Sequence, residues 1–466
     1  MFDDEEEDHY EHHLEGDLAQ FEAHLKGKSL GFIDSDRLEA IIDHYLMNSQ
    51  FAKAQKAAEI GDANFSFNPT FKLRIAQSLS GMGNLKDALN IMRRLETSSL
   101  PKFEVYVTRA AIYSQLKDHN NAIQNLSMAL SLADQEDRNE IFLDISAEYH
   151  LLRDFKSSIA ILKKALKDNP NNELALYELG FTYDRMGDFH AAIDAYRSYL
   201  DESPYSNLAW YNLGNAYSKL ENFEKAVWAY DYSILVFDEF APAHFNMGNA
   251  FLTLGKYHQA IERFKVAMEL DGDDAMALCY LGEAHEQLQE YDLAKNYYHL
   301  SLELEPELPE AWLGLGIISD IEGKTKEGIV LLKKALSFDL NSASIHLVLA
   351  NAYHKSNERE LAETHFLKSL SLDAMDSESL SDYVFFVMEE SVQDALKYLE
   401  ENQHEMEQNS VFLQMLVHVL VTLKKFKEAA LIFSSIVATN IEQAKELLEW
   451  NPKLLNRKEF VNLMNE

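Results

Sequence analysis

The sequence predicts an all-α protein, organised as one continuous array of paired helices instead of several globular domains. Three observations support this prediction: glycine and proline are scarce, apolar residues recur at helical spacing, and one pattern repeats every 34 residues. The 466 residues include only 17 glycines and 8 prolines, too few for an all-β protein with many turns. Segments 207–217 and 223–230 show the helical spacing clearly.

A small residue marks the repeat, usually three places after an aromatic or other large residue. Its successive positions lie 34 residues apart in nine of eleven intervals, which predicts about twelve copies of one structural unit. These positions are Ala54, Ala88, Ala122, Ser158, Ala192, Ala226, Ala260, Ala294, Gly328, Ala362, Ala395 and Ala429.

Nine of the 17 glycines keep the same register. Five stand twelve residues before the small residue, at Gly180, Gly214, Gly248, Gly282 and Gly316. Here we expect two helices to cross so closely that a larger side chain would push them apart. The other four stand seven residues beyond that position, at Gly83, Gly187, Gly255 and Gly323. There we expect a left-handed residue that ends one helix and turns the chain back.

The 34-residue unit resembles the tetratricopeptide repeat (TPR). One clear copy consists of Trp210, Leu213, Gly214, Tyr217, Ala226 and Tyr230, and another runs from Leu176 to Pro204. The resemblance covers about residues 36–437. It implies a right-handed superhelical solenoid of about twelve TPR helix-turn-helix repeats, closed by capping helices.

The segments outside the repeats fit this organisation. We predict an acidic N-terminal tail and short capping helix at 1–34, the TPR array at 35–437, and C-terminal capping helices at 438–466. The first 16 residues hold eight acidic residues and no Lys or Arg, which predicts a solvated tail before a helix within 17–30. Asp36 and Glu39 resemble a capping box. Ile441–Trp450 and Arg457–Met464 are the predicted closing helices, because each repeat buries its apolar face only against neighbours.

Composition indicates which classes of partner and which cellular location to expect. Lys and Arg number 42 against 77 Asp and Glu, a net charge of −35, so nucleic acid and anionic membranes are unfavourable partners. The sequence opens without a signal-peptide pattern, and its most apolar stretch, 411–423, is too short to cross a membrane. The single cysteine, Cys279, excludes an internal disulfide framework. We therefore expect a soluble cytoplasmic protein.

Motifs of catalysis are missing from the sequence. It contains no phosphate-binding loop, no Gly-x-Ser-x-Gly elbow and no complete zinc-protease motif. His9, His12 and His13 sit among carboxylates, but a flexible tail offers no preformed metal geometry. We predict a chain that is not an enzyme, with no cofactor, metal site or small-molecule substrate.

The resemblance implies a concave groove lined by the first helix of each repeat. Groove-facing residues stand three before, two before and one after the glycine position. The candidates are Tyr177, Phe181, Tyr211, Asn212, Asn215, Phe245, Asn246, Asn249 and, three repeats further on, Asn351. Because an amide side chain both donates and accepts, asparagines at repeat spacing can hold an extended chain by its backbone. The pattern resembles the asparagine ladder in the repeat array of the O-linked GlcNAc transferases.

A second interpretation stays open for the same residues. The asparagines can instead hydrogen-bond the next repeat, and the aromatic rings can pack between helices. Chaperone-binding members of the family use inward Lys and Arg to clamp a carboxylate. Here the corresponding lysine positions hold Tyr177, Tyr211 and Phe245, and Glu283, Glu286 and Asp320 lie nearby in register. The groove should therefore prefer an extended neutral or basic segment, held more weakly as salt screens the charges.

We predict a non-catalytic protein–protein interaction scaffold, or adaptor, that binds a partner peptide or protein in the concave groove. Two alternatives stay open. One is a regulatory or substrate-recruiting subunit of an enzyme complex. The other is a structural protein that self-assembles through its repeat faces or the apolar segment 411–423. Fold resemblance alone does not choose among them.

Overall fold

The structure is a computed structural model that describes residues 3–95, 98–406, 409, 411–450, 454, 457 and 460. Within these residues the chain is all-α, as predicted. It divides into two compact units, Met1–Asp238 and Glu239–Glu466. The predicted segment boundaries near residues 34 and 437 stay a prediction.

The helices of the first unit follow one another as a capping helix and six pairs. They are α1 (Asp3–Leu25), α2 (Ser35–Met47), α3 (Phe51–Asn64), α4 (Thr70–Gly81), α5 (Leu85–Leu95), α6 (Lys102–Gln115), α7 (His119–Leu130), α8 (Gln135–Leu151), α9 (Phe155–Asp168), α10 (Glu173–Met186), α11 (Phe189–Glu202), α12 (Asn207–Lys219) and α13 (Phe223–Val236).

The second unit continues with six further pairs and a closing helix. They are α14 (Ala241–Thr253), α15 (Tyr257–Asp271), α16 (Ala275–Gln287), α17 (Tyr291–Leu304), α18 (Pro309–Ile321), α19 (Thr325–Phe338), α20 (Ala343–Lys355), α21 (Arg359–Leu372), α22 (Ser377–Met388), α23 (Val392–Glu401), the short α24 (Gln403–Met406), α25 (Phe412–Thr422), α26 (Phe426–Thr439) and α27 (Ile441–Trp450). No helix in the described part of the chain is both long enough and apolar enough to cross a membrane.

Each pair is built around the small residue that marks the repeat. All twelve of these residues are buried, so the register read from the sequence is the register of the core. The first member of each pair is called the leading helix below, and the second the trailing helix. Side chains at the start of four successive trailing helices accept a hydrogen bond from a backbone amide of the first turn, which fixes where the helix begins. These capping residues are Asp118, Asp154, Asp188 and Asn222.

The turn within a pair needs a left-handed residue, as the sequence predicted. Gly83, Gly187, Gly255 and Gly323 have φ between 70° and 80°. In other pairs the same position is left-handed without glycine, at Ser49, Lys117, Arg153, Glu221, Gln289, Asn357 and Lys424. The register therefore imposes this backbone conformation even on residues that disfavour it.

Four of the five register glycines of the leading helices accommodate an aromatic side chain from the trailing helix, and the fifth, Gly316, accommodates Leu332. A Cβ at Gly282 would lie 2.7 Å from the ring of Tyr298, and one at Gly248 would lie 2.9 Å from the ring of Phe264. Tyr230 crosses Gly214 in the same way. The predicted close crossing is thus confirmed, and its physical cause is a ring lying directly on the leading helix.

The N-terminal segment differs from the expected solvated tail and short helix. One helix, α1, runs from Asp3 to Leu25, so helical structure starts well before residue 17 and stops before residue 30. Its Phe21 is fully buried in the first core cluster, and Asp17 forms an ion pair with Arg37. Helix α1 therefore caps the first pair. The predicted capping box is wrong, because Asp34, and not Asp36, accepts the Arg37 amide at 3.0 Å.

The C-terminal end is closed by α27, in agreement with the predicted helix Ile441–Trp450. The second predicted helix, Arg457–Met464, lies outside the described residues except for Arg457 and Phe460. The ring of Phe460 is fully buried and meets Phe433 edge-on at a centroid distance of 5.4 Å. The last pair is therefore covered by residues that follow it.

A methyl group at the glycine position should disrupt a pair. We expect Gly282→Ala to lower the free energy of unfolding by about 1–3 kcal/mol, because the new Cβ collides with the Tyr298 ring. The measurement is chemical denaturation of the full chain. Gly16→Ala in α1 is the control, since a Cβ there meets no atom within 4 Å and alanine favours helix. Equal stability of the Gly282→Ala variant and the unmodified chain would contradict this explanation of the glycine register.

Candidate functional site

The candidate residues lie on the leading helices, around the glycine position. We call the set of positions that they occupy, taken in each unit separately, the leading-helix face. It consists of the residues three before, two before and one after the glycine position. The structure brings Phe245, Asn246 and Asn249 together on α14. It places Tyr177 and Phe181 on α10, and Asn351 on α20 three pairs after α14.

The two candidate aromatic residues of α10 are open to solvent. Tyr177 is 58% exposed and Phe181 is 47% exposed. The Phe181 ring stacks on His150 at a centroid distance of 5.5 Å, and burial lowers the pKa of that histidine. The Arg185 guanidinium lies 5.9 Å from the centre of the Phe181 ring. Phe181 is therefore held in place by neighbours while much of its surface stays available for binding.

The candidates of α12 make contacts inside the first unit instead. Asn212 is only 8% exposed, and its amide donates to the Leu176 carbonyl of the preceding leading helix at 3.4 Å. Asn215 accepts a hydrogen bond from the Tyr230 hydroxyl at 2.8 Å. Tyr211 packs near the same ring, at a centroid distance of 6.0 Å. These contacts follow the packing alternative that the sequence left open.

The candidates of the second unit also have intramolecular contacts. The Phe245 ring lies 5.7 Å from Phe264 and 5.9 Å from Tyr280, measured between centroids. Burial raises the pKa of the Tyr280 hydroxyl, and the Asn249 side chain beside it opposes this shift. Asn351 is exposed, and its amide donates to Asp382 at 2.8 Å. The asparagines therefore join neighbouring leading helices.

A single rule, missed in the sequence analysis, describes the contacts of Asn249 and Asn351. The residue after the glycine position contacts the residue two before the glycine position of the next pair, 31 residues later. We call this series the ladder. Its members are Asp43 with Arg74, Gln77 with Thr108, Asn249 with Tyr280, and Asn351 with Asp382. Complementary polar residues at 31-residue spacing, and not identical residues at 34-residue spacing, are the sequence signal that could have identified it.

The ladder is interrupted in the second unit at Glu283. The partner position in the next pair is Gly314, which has no side chain to offer, and a Cβ there would collide with the Tyr298 ring. The Tyr298 hydroxyl donates to Glu286 at 2.8 Å. Neither Glu283 nor Glu286 forms an ion pair with any residue in the described ranges. Two neighbouring carboxylates of α16 are thus left without a cation.

The surroundings of these carboxylates disfavour their negative charge. Burial raises the pKa of Glu283. Burial also raises the pKa of Glu286 to about 7, against the effect of the Tyr298 hydrogen bond and helped by the charge of Glu283. A cation placed beside them would stabilise the ionised form. The third predicted acidic neighbour, Asp320, already has one, since Lys355 lies 3.1 Å away.

A similar interruption occurs in the first unit. Asp144 and Glu178 stand two before the glycine position of their pairs. Ala147 lies 31 residues before Glu178, and Ala111 lies 33 residues before Asp144, because the repeat interval is 36 residues there. The described residues include no ion pair to either carboxylate. Glu178 shares α10 with the exposed Tyr177 and Phe181. Each unit therefore combines carboxylates that lack a cation with aromatic rings on its leading-helix face.

Comparison with known families identifies the repeat. Models described as tetratricopeptide repeats match residues 103–136, 161–194, 182–242, 277–308 and 343–374, and a TPR model matches 248–289. The chain belongs to the tetratricopeptide repeat family. As a TPR protein, it is in general terms a scaffold for protein–protein interaction, and this repeat fold is typically non-catalytic.

One curated relative matches part of the chain. The type IV pilus assembly protein PilF of Pseudomonas aeruginosa is 29% identical over 159 residues, which are 33% of this chain and 63% of the relative. The chain therefore spans less than two thirds of the length of the curated relative it matches.

Several solved structures are similar to parts of the chain. The APC/C hetero-tetramer Cut9-Hcn1 is 16% identical, with 83% of this chain and 90% of that chain covered and a TM-score of 0.44. A TPR protein from Parabacteroides merdae is 20% identical, with 54% and 98% covered and a TM-score of 0.46. YrrB, described as a TPR protein with an unusual peptide-binding site, is 20% identical, with 41% and 98% covered and a TM-score of 0.31.

The ladder should contribute to stability in this TPR protein. We expect Asn249→Ala to lower the free energy of unfolding by about 1 kcal/mol, because the Tyr280 hydroxyl loses its partner. A double-mutant cycle with Tyr280→Phe measures the contact directly. Additive effects of the two substitutions would show that Asn249 and Tyr280 do not stabilise each other.

Proposed function

We propose that this TPR protein is a non-catalytic adaptor whose leading-helix face binds an extended, neutral-to-basic segment of a partner protein. This face corresponds to the concave groove that the family resemblance implies. The observation that supports the proposal most directly is the interruption of the ladder at Glu283. There, Glu283 of the face and the adjacent Glu286 have no ion pair among the described residues, and they lie beside the rings of Tyr280 and Tyr298.

The ladder limits which of the candidate residues take part. Asn212, Asn215, Asn249 and Asn351 already have intramolecular partners, and we assign them to the frame that spaces the leading helices. Tyr177 and Phe181 keep exposed ring surface, so we assign them to contacts with partner side chains.

Charge supports a basic partner. In the second unit, Glu283 and Glu286 are partly buried, so a lysine or arginine placed there meets carboxylates in a less polar setting than open solvent. In the first unit, the exposed rings of α10 can contact aliphatic side chains of a partner. The carboxylate of Glu178, on the same helix, attracts its cationic side chains. The net charge of −35 opposes nucleic acid as the ligand.

The proposal includes the cytoplasm as the site of action. The single cysteine, Cys279, is buried, and burial raises the pKa of its thiol, so it is not a reactive group. An acidic scaffold without a disulfide framework suits a reducing compartment.

Site-specific photo-crosslinking tests whether a polypeptide lies on the leading-helix face. A benzoylphenylalanine at position 181 or 280 should capture the same partner protein in the native cell. The control position is Val330, which is 67% exposed on the trailing helix α19. Capture of that partner with equal yield from position 330 would contradict the proposed face.

Neutralising the two carboxylates of α16 should weaken binding of a basic peptide. We expect Glu283→Gln with Glu286→Gln to lower the affinity for an extended arginine–serine peptide about thirtyfold, since each of the two lost charged contacts is worth about 1 kcal/mol. Fluorescence anisotropy at low ionic strength measures the change. The matched control is Glu269→Gln with Glu303→Gln, which removes the same charge from exposed trailing-helix positions. Equal losses of affinity in both double variants would show that binding depends only on net charge.

The same binding should depend on pH. Glu286 is ionised above its raised pKa of about 7 and becomes protonated below it, so the attraction for a cation is lost as the pH falls. We expect affinity for the arginine–serine peptide to fall severalfold between about pH 8 and about pH 6. Glu286→Gln should remove most of this dependence. An unchanged pH profile in that variant would assign the titration to another group.

A further inference from the structure

The trailing helix α13 carries an apolar stripe that the leading-helix face does not use. Trp228, Tyr232 and Leu235 stand at i, i+4 and i+7, so they share one side of the helix. They are 46%, 40% and 79% exposed. An exposed tryptophan within a row of apolar residues is typical of a protein-binding surface.

The stripe is specific to this pair. The same three register positions hold Asp194, Ser198 and Asp201 in the preceding pair, and Glu262, Val266 and Glu269 in the following one. None of the other pairs has Trp, Tyr or Phe at any of these positions. The array therefore does not require aromatic residues on this side of a trailing helix, and packing of the repeat does not explain them.

The aromatic rings of the stripe fix one another. Trp210 of α12 stacks on Tyr232 at a centroid distance of 4.7 Å and meets Trp228 edge-on at 5.2 Å. Trp228 and Tyr232 are also 5.2 Å apart. The Trp210 indole donates to the Pro204 carbonyl at 2.9 Å, which holds the innermost ring. A rigid cluster loses little conformational entropy when a partner binds.

A second tryptophan of the chain, in the same register, has a cation as its neighbour. Trp312 occupies the register of Trp210 three repeats later, and its indole donates to Pro306 at the same 2.9 Å. The position equivalent to Tyr232 there is Lys334, whose ammonium lies 5.3 Å from the centre of the Trp312 ring. The position beside the tryptophan therefore holds an aromatic ring in one pair and a cation in the other. The cation lies over the indole in a cation–π contact.

The charges beside the stripe favour a cationic ligand. Glu224 and Asp231 lie about one helical turn to either side of Trp228 on α13, and both are exposed. Neither forms an ion pair in the part of the chain that the structure describes. The nearby Lys225 is directed elsewhere, since its ammonium lies 5.6 Å from the centre of the Tyr217 ring.

We propose that the stripe of Trp228, Tyr232 and Leu235, supported by Trp210, is a second docking surface, which binds an amphipathic segment of a partner protein that presents arginine or lysine beside aliphatic side chains. The aliphatic groups cover Leu235, and the cations lie on the indole of Trp228 between Glu224 and Asp231. A second copy of this chain is a poor occupant, because two surfaces with the same carboxylates and a net charge of −35 each repel.

Fluorine NMR of the full chain labelled with 5-fluorotryptophan tests the proposal. The four tryptophans give four signals, and Trp228→Phe assigns the one of interest. The probe is a helical peptide of about 18 residues with leucine on one face and arginine elsewhere. Its counterpart carries glutamate in place of arginine. We expect the arginine peptide to shift the Trp228 signal saturably and the glutamate peptide to leave it unchanged.

Two variants separate this surface from others. Asp231→Lys keeps the aromatic cluster and reverses the adjacent charge, so the peptide concentration that half-saturates the Trp228 shift should rise about tenfold. Trp228→Ala should weaken binding by a similar factor while circular dichroism stays unchanged. Val330→Ala, at the register position of Trp228 in α19, is the control and should have no effect.

Three outcomes would overturn the proposal. The first is an arginine peptide that binds without moving the Trp228 signal. The second is binding abolished by Glu283→Gln with Glu286→Gln but not by Trp228→Ala, which would leave the leading-helix face as the binding surface. The third is a Trp228 signal that moves on dilution of the chain alone, which would identify a second copy as the occupant.

Discussion

The contact between a glycine of the leading helix and an aromatic ring of the trailing helix determines much of this structure. Because glycine has no Cβ, the ring lies directly on the leading helix, as Tyr298 does on Gly282. The ring hydroxyl then reaches beyond the core to a polar side chain of the leading helix: the Tyr230 hydroxyl donates to Asn215, and the Tyr298 hydroxyl donates to Glu286. Packing within a pair and the polar chemistry of its surface are therefore coupled.

The ladder gives asparagines of the leading helices a structural role within the array. Neighbouring leading helices bring polar side chains within hydrogen-bonding distance, and buried or half-buried polar groups are stabilised by pairing with each other. Carboxylates whose opposite position is glycine or alanine, such as Glu283 opposite Gly314, are left available for a partner. The proposed site is therefore distinguished from the rest of the leading-helix face by the positions where the ladder is interrupted.

The two proposed surfaces use the scaffold in different ways. The leading-helix face depends on carboxylates that packing leaves without a cation. The stripe on α13 depends on aromatic residues that packing does not need, since trailing helices elsewhere are mostly polar at these positions. Both favour basic partners because the chain is strongly acidic. An adaptor with two such surfaces is able to hold two segments of one partner, which raises the effective concentration of the second.

The sequence by itself determined the helix pairs, the 34-residue register, the buried small residues and the left-handed turns, because each follows from local backbone preferences and a short spacing. Only the tertiary structure decided which candidate side chains already contact another residue of the chain. Asn249 looks free in the sequence, yet its partner Tyr280 lies in the next pair. The N-terminal cap depends likewise on Phe21 and Asp17 reaching the first pair. Such contacts join residues of neighbouring helices, and their geometry depends on how those helices pack.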